Sequence, residues 1–353
     1  MRCVTQLNRR NNVNMELLIV HHDHFDRLYN CSFKSYDEWL YYGVQNFFHG
    51  QLYLVLGTIY LLLYIPILIV ISRPPLIHHS CWKIMFFLGI VDICSTIINC
   101  IIPGYMGIKG FVGCNYITFF YLAGSTAIAC WFCQCCTCLV LAINRCVDFW
   151  KVKWMLWLFE GRRIFLWISL SLIYAFTGFF FCAAPIFSSL GMAYFFDPYY
   201  LIPSSEVPID RSVYHSMFHS INNMVIVVFL PLIYAFLVLS VWWKNRGSNN
   251  SFLSKLQRQL FFQVFWICTL NFTAAFLYVY MQFFPIPFFF ITVGQVMWQG
   301  SNGGAVVVYL ALNKTIRIGV FRMICTPFAK YQNGTMIVTA VASASVQPVT
   351  VQR

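Results

Sequence analysis

Between Asn115 and Asn144 the chain carries no Asp, Glu, Lys or Arg, and this uncharged run closes on the cationic, partly polar cluster Asn144-Arg145-Cys146-Val147-Asp148. At about 1.5 Å per helical residue, the stretch from Cys114 to Arg145 spans roughly 46 Å, enough to cross a bilayer of about 40–45 Å including headgroups. It reads as a membrane-crossing helix with an arginine at one mouth. Of the 353 residues, 60% are hydrophobic and only 10% are charged, against about 25% charged in an ordinary soluble domain. The apolar residues also come in long blocks separated by short polar links, the pattern of one polytopic bundle rather than several domains.

Seven blocks qualify as spans, at about 50–72, 84–108, 115–147, 164–187, 217–243, 259–284 and 288–312. The fold class expected is therefore an all-α membrane protein, a bundle of seven transmembrane helices. Residues 1–49 precede it, and their apolar run Met15 to Val20 is shorter than the roughly 7–15 residues of a signal-peptide core, so the first long helix is expected to act as signal anchor. Residues 313–325 read as an amphipathic basic helix on the membrane surface, with Ile316, Ile318, Phe321 and Ile324 toward lipid. Residues 326–353 read as a disordered cytoplasmic tail.

Cations set the orientation. The links after spans one, three and five carry Arg73, Lys83, Lys151, Lys153, Arg162, Arg163, Lys244, Arg246 and Lys255, with Arg145 and Arg258 at helix ends. Those after spans two, four and six carry only Lys109 and Arg211. The positive-inside rule puts the first set in the cytoplasm and the N-terminus outside. The net charge of +12 thus serves topology and anionic headgroups, and no nucleic-acid partner is expected. The sequon Asn30-Cys31-Ser32 falls outside and makes Asn30 the candidate glycosylation site.

Asp92 is the lone carboxylate deep in a span and must face the bundle interior. It is expected to join Ser301 and Asn302 of the seventh helix in a polar network, either a polar or sodium-binding switch or a plain interhelical hydrogen bond. Arg145 at the inner mouth, with Asn144, Lys244 and Arg246 nearby, is a candidate contact for a cytoplasmic protein; its alternative is an arginine snorkelling to headgroups.

Six of the fifteen cysteines lie in CWFCQCCTCLVLAINRC. Consecutive residues of one helix point around the cylinder and cannot converge on an ion, so they read as small packing residues and no metal is expected. On the oxidising side a disulfide is permitted among Cys3, Cys31, Cys114 and Cys182. Cys31–Cys114 is the pair expected, with Cys114–Cys182 the alternative. Cys325, at the end of the basic helix, is a candidate palmitoylation site.

An outward-opening pocket between helices two, three, five, six and seven has as candidate lining Tyr121, Ser125, His219, Asn222, Asn223, Tyr278, Gln282, Gln295, Trp298 and Gln299. That aromatic and amide set suits a small organic molecule. No cofactor is implied, and no nucleophile stands with a base or metal cluster at either mouth, so an enzyme is not expected.

The segments Tyr29-Asn30-Cys31-Ser32, Leu63-Tyr64-Ile65-Pro66-Ile67, Ser80-Cys81-Trp82-Lys83-Ile84-Met85-Phe86-Phe87-Leu88-Gly89-Ile90-Val91-Asp92 and Asn144-Arg145-Cys146-Val147-Asp148 resemble the nematode serpentine receptor class T (Srt) chemoreceptors over about residues 29 to 325. The resemblance implies a G-protein-coupled-receptor-like protein in the plasma or ciliary membrane of sensory neurons, with a small-molecule ligand and a heterotrimeric G protein as partners. Against the broader rhodopsin-like pattern, Asn144-Arg145-Cys146 stands where Asp-Arg-Tyr is expected and Asn302-Gly303-Gly304 replaces Asn-Pro. The outer loop from Ser188 to Ser216 has no cysteine, and no lysine in the seventh span is available for a retinal Schiff base. The competing reading is a ligand-gated channel or transporter, against which stand the lack of an internal repeat and the single deep carboxylate.

Overall fold

The computed structural model describes Leu18, residues 22–246 and residues 251–329; Cys3 and the tail beyond Ala329 lie outside the described residues. Two short helices, α1 (His22–Leu28) and α2 (Tyr36–Tyr42), precede the first span, α3 (Phe47–Ile71). The second span is α4 (Ser80–Thr96), a π-helical turn (Ile97–Ile101) and α5 (Ile102–Lys109) in succession. Then come α6 (Ile117–Trp150), a short inner helix α7 (Lys153–Phe159) and α8 (Ile164–Phe181). An outer hairpin, β1 (Ile186–Ser188) and β2 (Ala193–Phe195), precedes α9 (Met217–Asn245), α10 (Ser251–Phe283), α11 (Phe288–Leu312) and α12 (Lys314–Ala329).

These seven spans form a closed bundle in which α3 and α11 also touch. Five of them are long and apolar enough to cross a bilayer by length and composition alone. That count is of the described residues; α11 passes together with α12 as a bent pair, and the polar residues of α10 and α11, Asn271, Gln295, Gln299, Ser301 and Asn302, are all buried. Because those side chains face other helices, the lipid-facing surface stays apolar, as a hydrocarbon environment demands.

The long uncharged run forms α6, the axis of the bundle, which packs on α4, α8 and α9. Its cysteines keep the cylinder thin: Cys133, Cys135 and Cys138 are buried on it, and small residues permit close helix approach in a membrane. α8 is the opposite case. Only Ile164, Ser171 and Gly178 are buried, one stripe seven residues apart that lies against α6, where Gly178 leaves 2.9 Å between an added Cβ and the Phe132 ring. Leu166 and Ile173 face lipid.

Element ends depart from the expected spans where local chemistry decides them. α8 stops at Phe181, six residues before the expected boundary, because the chain turns out through Cys182 and Pro185 into the hairpin. α10 begins at Ser251, about two turns earlier than expected. At Asn313 the chain bends by 89° between α11 and α12. The Asn313 side chain accepts from the backbone N–H groups of Thr315 (3.1 Å) and Ile316 (3.2 Å), capping α12, and Arg317 donates to the Ala311 carbonyl at the end of α11 (2.7 Å).

On α12 the apolar face divides. Phe321 is exposed, but Ile316 is fully buried rather than facing lipid, since α12 folds against the inner end of α3, where Gly319 meets Val70. Cys325 is half-buried near its end.

Outside, a disulfide joins Cys31 to Cys114 at the head of α6, and Cys182 is a buried free thiol. The bond ties α1 and α2 over the bundle. There Phe25 and Tyr29 pack edge-on against Tyr121, with ring centroids 5.0 and 4.9 Å apart, and Trp39 donates to the Cys31 carbonyl (2.8 Å).

Gly303, in the tripeptide that replaces Asn-Pro, faces the Tyr60 ring of α3 so closely that a Cβ would overlap it. Gly303→Ala is expected to destabilise the bundle by about 1–3 kcal/mol through overpacking, and Tyr60→Leu to restore it. Thermal unfolding of the detergent-solubilised single and double variants checks both.

Candidate ligand chamber beneath the outer hairpin

The outer loop dips into the bundle. β1 and β2 pair antiparallel, Phe187 opposite Tyr194, and every residue of both strands is buried. No disulfide holds this hairpin; close approach and hydrogen bonds do. Gly124 of α6 lies against the Pro185 carbonyl where no Cβ would fit. Tyr53 donates to the Met192 carbonyl (3.1 Å), Ser189 N–H donates to the Phe111 carbonyl (3.1 Å), and Tyr194 donates to the Ile98 carbonyl (2.8 Å).

The last bond reaches the π-helical turn of the second span. A wide turn of this kind breaks the regular ladder and leaves carbonyls in need of partners. Next to Ile98, the Asn99 carbonyl accepts from both Gln295 (2.8 Å) and Gln299 (2.9 Å) of α11, and Tyr278 of α10 donates to Gln295. Roof, sixth span and seventh span therefore converge on two adjacent carbonyls.

Below the hairpin lies a small chamber of about 30 Å³, enough for a couple of water molecules. Its walls are Ile128, Trp131, Tyr194, Phe196, Tyr278 and Trp298 with small residues between, and its polar edge is His219 and Asn223. Trp131 donates to Asn223 Oδ1 (2.8 Å), and the Asn223 amide donates to the Ala275 carbonyl (3.1 Å) and lies 3.3 Å from His219 Nε2. His219 Nδ1 in turn lies 3.1 Å from Gln282 Nε2. No ionic side chain lines this chamber.

A larger outer vestibule of about 270 Å³ shares Tyr194, Phe196 and Tyr278 with it. Its rim is polar. Asp197 and Arg211 form an ion pair there (2.5 Å), with Gln282, Tyr200 and Tyr214 alongside.

Of the sequence candidates, His219, Asn223, Tyr278 and Trp298 line the chamber and Gln282 the vestibule. The other five lie elsewhere. Tyr121 is covered by Phe25 and Tyr29. Asn222 points to α8, where its Oδ1 accepts from Tyr174 (3.0 Å). Gln295 and Gln299 satisfy the π turn, and Ser125 is buried without lining either cavity. Sequence reading missed Trp131 and the whole hairpin contribution, for which the one available signal was the aromatic density of Ala193-Tyr194-Phe195-Phe196-Asp197-Pro198-Tyr199-Tyr200.

Deeper in the membrane, Asp92 and Asn302 meet through a residue not anticipated. Tyr64 of α3 donates to Asp92 Oδ2 (2.7 Å) and also lies 2.6 Å from the Asn302 carbonyl. The Ser301 hydroxyl and the Asn302 amide bond back to Trp298 on their own helix, while the Ser301 carbonyl accepts from Gln134 (2.9 Å). At the inner mouth Asn144 is buried and donates to Ser80 (3.0 Å), stapling α6 to α4 rather than facing the cytoplasm. Arg145 is half-buried, with Nη2 3.5 Å from the Met85 sulfur; among the described residues no carboxylate lies within ion-pair distance of it. Lys244 sits over the Phe149 ring (5.0 Å) and Arg246 over Trp242 (4.5 Å). Asn30 accepts from the Ser32 N–H (2.8 Å) in a tight turn on the outer face.

The profile of a known family, described as "Serpentine type 7TM GPCR chemoreceptor Srt", matches residues 15–333. Serpentine receptor class T-55 of Caenorhabditis elegans is 27% identical over 294 residues, covering 82% of this chain and 78% of that protein.

Leaving a buried carbonyl without a donor costs about 1–3 kcal/mol. Gln295→Leu or Gln299→Leu alone should lower stability by less than that, since the other glutamine still serves Asn99, and the double variant by more than the sum. A double-mutant cycle on thermal unfolding reads the coupling.

Proposed function

Because this chain belongs to the Srt family of serpentine seven-transmembrane chemoreceptors, we propose that it is a receptor that binds a small extracellular organic molecule in the chamber beneath the hairpin and signals to a heterotrimeric G protein at its inner face. The observation that carries the reading is the chamber itself: aromatic and small apolar walls with a single polar edge, His219–Asn223, at the outer third of the bundle. Such lining favours a molecule whose chamber-filling part is uncharged and largely apolar, with room for one hydrogen bond. The chamber is too small at rest for such a molecule, so binding has to widen it, and a ligand that favours the wider state shifts the bundle toward it.

Arg145, with its guanidinium held only by a thioether, and the cations Lys244 and Arg246 are the proposed cytoplasmic contacts. Asn144 supports Arg145 indirectly, through Ser80. An N-linked glycan at Asn30 and a palmitoyl chain at Cys325 complete the proposal. N-glycosidase should shift the wild-type mass but not that of Asn30→Gln, and hydroxylamine-sensitive palmitate should vanish in Cys325→Ala.

The deciding experiment screens an odorant panel while G-protein activation and ionic current are recorded together. Arg145→Ala is expected to abolish GTP-dependent signalling while ligand affinity changes by less than about threefold. Trp298→Ala and His219→Ala should weaken potency by about tenfold or more, near 1.4 kcal/mol. A ligand-evoked current that survives loss of the G protein would overturn the receptor reading in favour of a channel.

A further inference from the structure

Two cavities that differ in chemistry share one wall. The chamber is apolar, whereas the vestibule outside Tyr194, Phe196 and Tyr278 is bounded by an ion pair. Among the described residues Arg211 is the one cation lining either cavity, and its side chain retains 22% exposure. Its Nε and Nη2 both address the same oxygen, Asp197 Oδ2, and Nη1 donates to the Ile202 carbonyl (2.8 Å). Guanidinium has five N–H donors, so this single-oxygen pairing leaves an Nη2 N–H without a partner among the described residues.

We propose that the vestibule is the head-group subsite of the ligand site: Arg211 takes a carboxylate, and the apolar body of the same molecule passes between Tyr194, Phe196 and Tyr278 into the chamber. The inference rests on the chamber being the ligand site and adds the ligand's chemical class, a medium-length carboxylic amphiphile.

Two features support an anion over a cation, and a third supports an apolar body. Arginine keeps its charge in all conditions and matches carboxylate geometry, while the lone acid of the rim is already paired. Burial pushes the Asp197 carboxyl above its ordinary range, against the opposing pull of Arg211 and the Tyr199 N–H, which weakens its competition with an incoming carboxylate. The far side of the vestibule is the apolar and aromatic end of α10, Met281, Phe283 and Phe284, which suits a hydrocarbon segment beside the head.

The test titrates full-length protein in lipid nanodiscs with octanoate, octanol and octyltrimethylammonium by calorimetry, against empty nanodiscs. Octanoate is expected to bind about tenfold or more tightly than the other two. Arg211→Gln should remove that preference, leaving octanol unchanged. Asp197→Asn should tighten octanoate, a gain that misfolding would not produce. Equal binding of acid and alcohol, or an octanoate affinity indifferent to both substitutions, overturns the head-group assignment. Ala274→Trp separates the two readings: it fills the chamber and should weaken every probe that binds there. If it weakens octanol while Arg211→Gln has no effect on octanoate, the chamber stands and the vestibule proposal falls. If no probe binds, or Ala274→Trp changes none of them, both fall together.

Discussion

A backbone carbonyl inside a bilayer has no water to turn to; at the π turn Ile97–Ile101 the Asn99 carbonyl lacks its regular donor because Pro103, four residues on, has no N–H, and the Ile98 carbonyl takes a donor from outside its helix. Ile98 is answered by Tyr194 from the outer hairpin and Asn99 by Gln295 and Gln299 from the seventh span. Much of the outer half follows from this. The hairpin can do without a disulfide because its Tyr194 is needed in the membrane, and the two glutamines can be fully buried in α11 because each has an acceptor waiting. An unmet carbonyl costs about 1–3 kcal/mol, a large share of any folding free energy. The three donors therefore fix the register of hairpin and seventh span against the second.

The inner half obeys the same rule with fewer partners. Asp92 is met by a phenol, not a cation, and the same Tyr64 hydroxyl reaches the Asn302 backbone. One hydroxyl thereby ties three helices at the depth where a carboxyl is most expensive. Among the described residues no carboxylate lies within ion-pair distance of Arg145, and Asn144 reaches across to Ser80. At the inner mouth the Asn144–Ser80 bond joins α6 to α4.

The spans were legible in the sequence because lipid imposes a long-range, one-dimensional constraint: uncharged blocks such as Asn115 to Asn144 must become helices. Sidedness followed from cation counts in short links. The polar residues of the fifth and seventh spans could be recognised as interior, yet their division between chamber and scaffold could not. His219 and Gln295 look alike on a helical wheel; what separates them is a π turn on another helix, whose one local signal is Pro103, the missing donor for the Asn99 carbonyl. The hairpin was hidden for a related reason. Its strands are three residues each, and they exist because α3, α5, α6 and α11 surround them. Tyr64 was in view as part of a motif, but its reach to Asp92 is a tertiary fact.

Tyr194 and Tyr278 belong to both halves of the problem. Each lines the chamber, and each donates a hydrogen bond into the cluster around the π turn, Tyr194 directly to Ile98 and Tyr278 through Gln295. A molecule that enlarges a cavity of about 30 Å³ cannot leave both rings where they are, because the interior is close-packed and accommodates added volume only by moving its walls. If either hydroxyl withdraws, the Ile98 carbonyl loses its donor or Gln295 is freed to leave Asn99, whose carbonyl no regular ladder can satisfy because Pro103, four residues on, has no N–H. α4, which runs into this turn, carries Asp92 and Ser80, the contacts of Tyr64 and Asn144. The chamber walls are thus bonded to the π turn, and the helix that continues from that turn carries the partners of Tyr64 and Asn144 at the inner end.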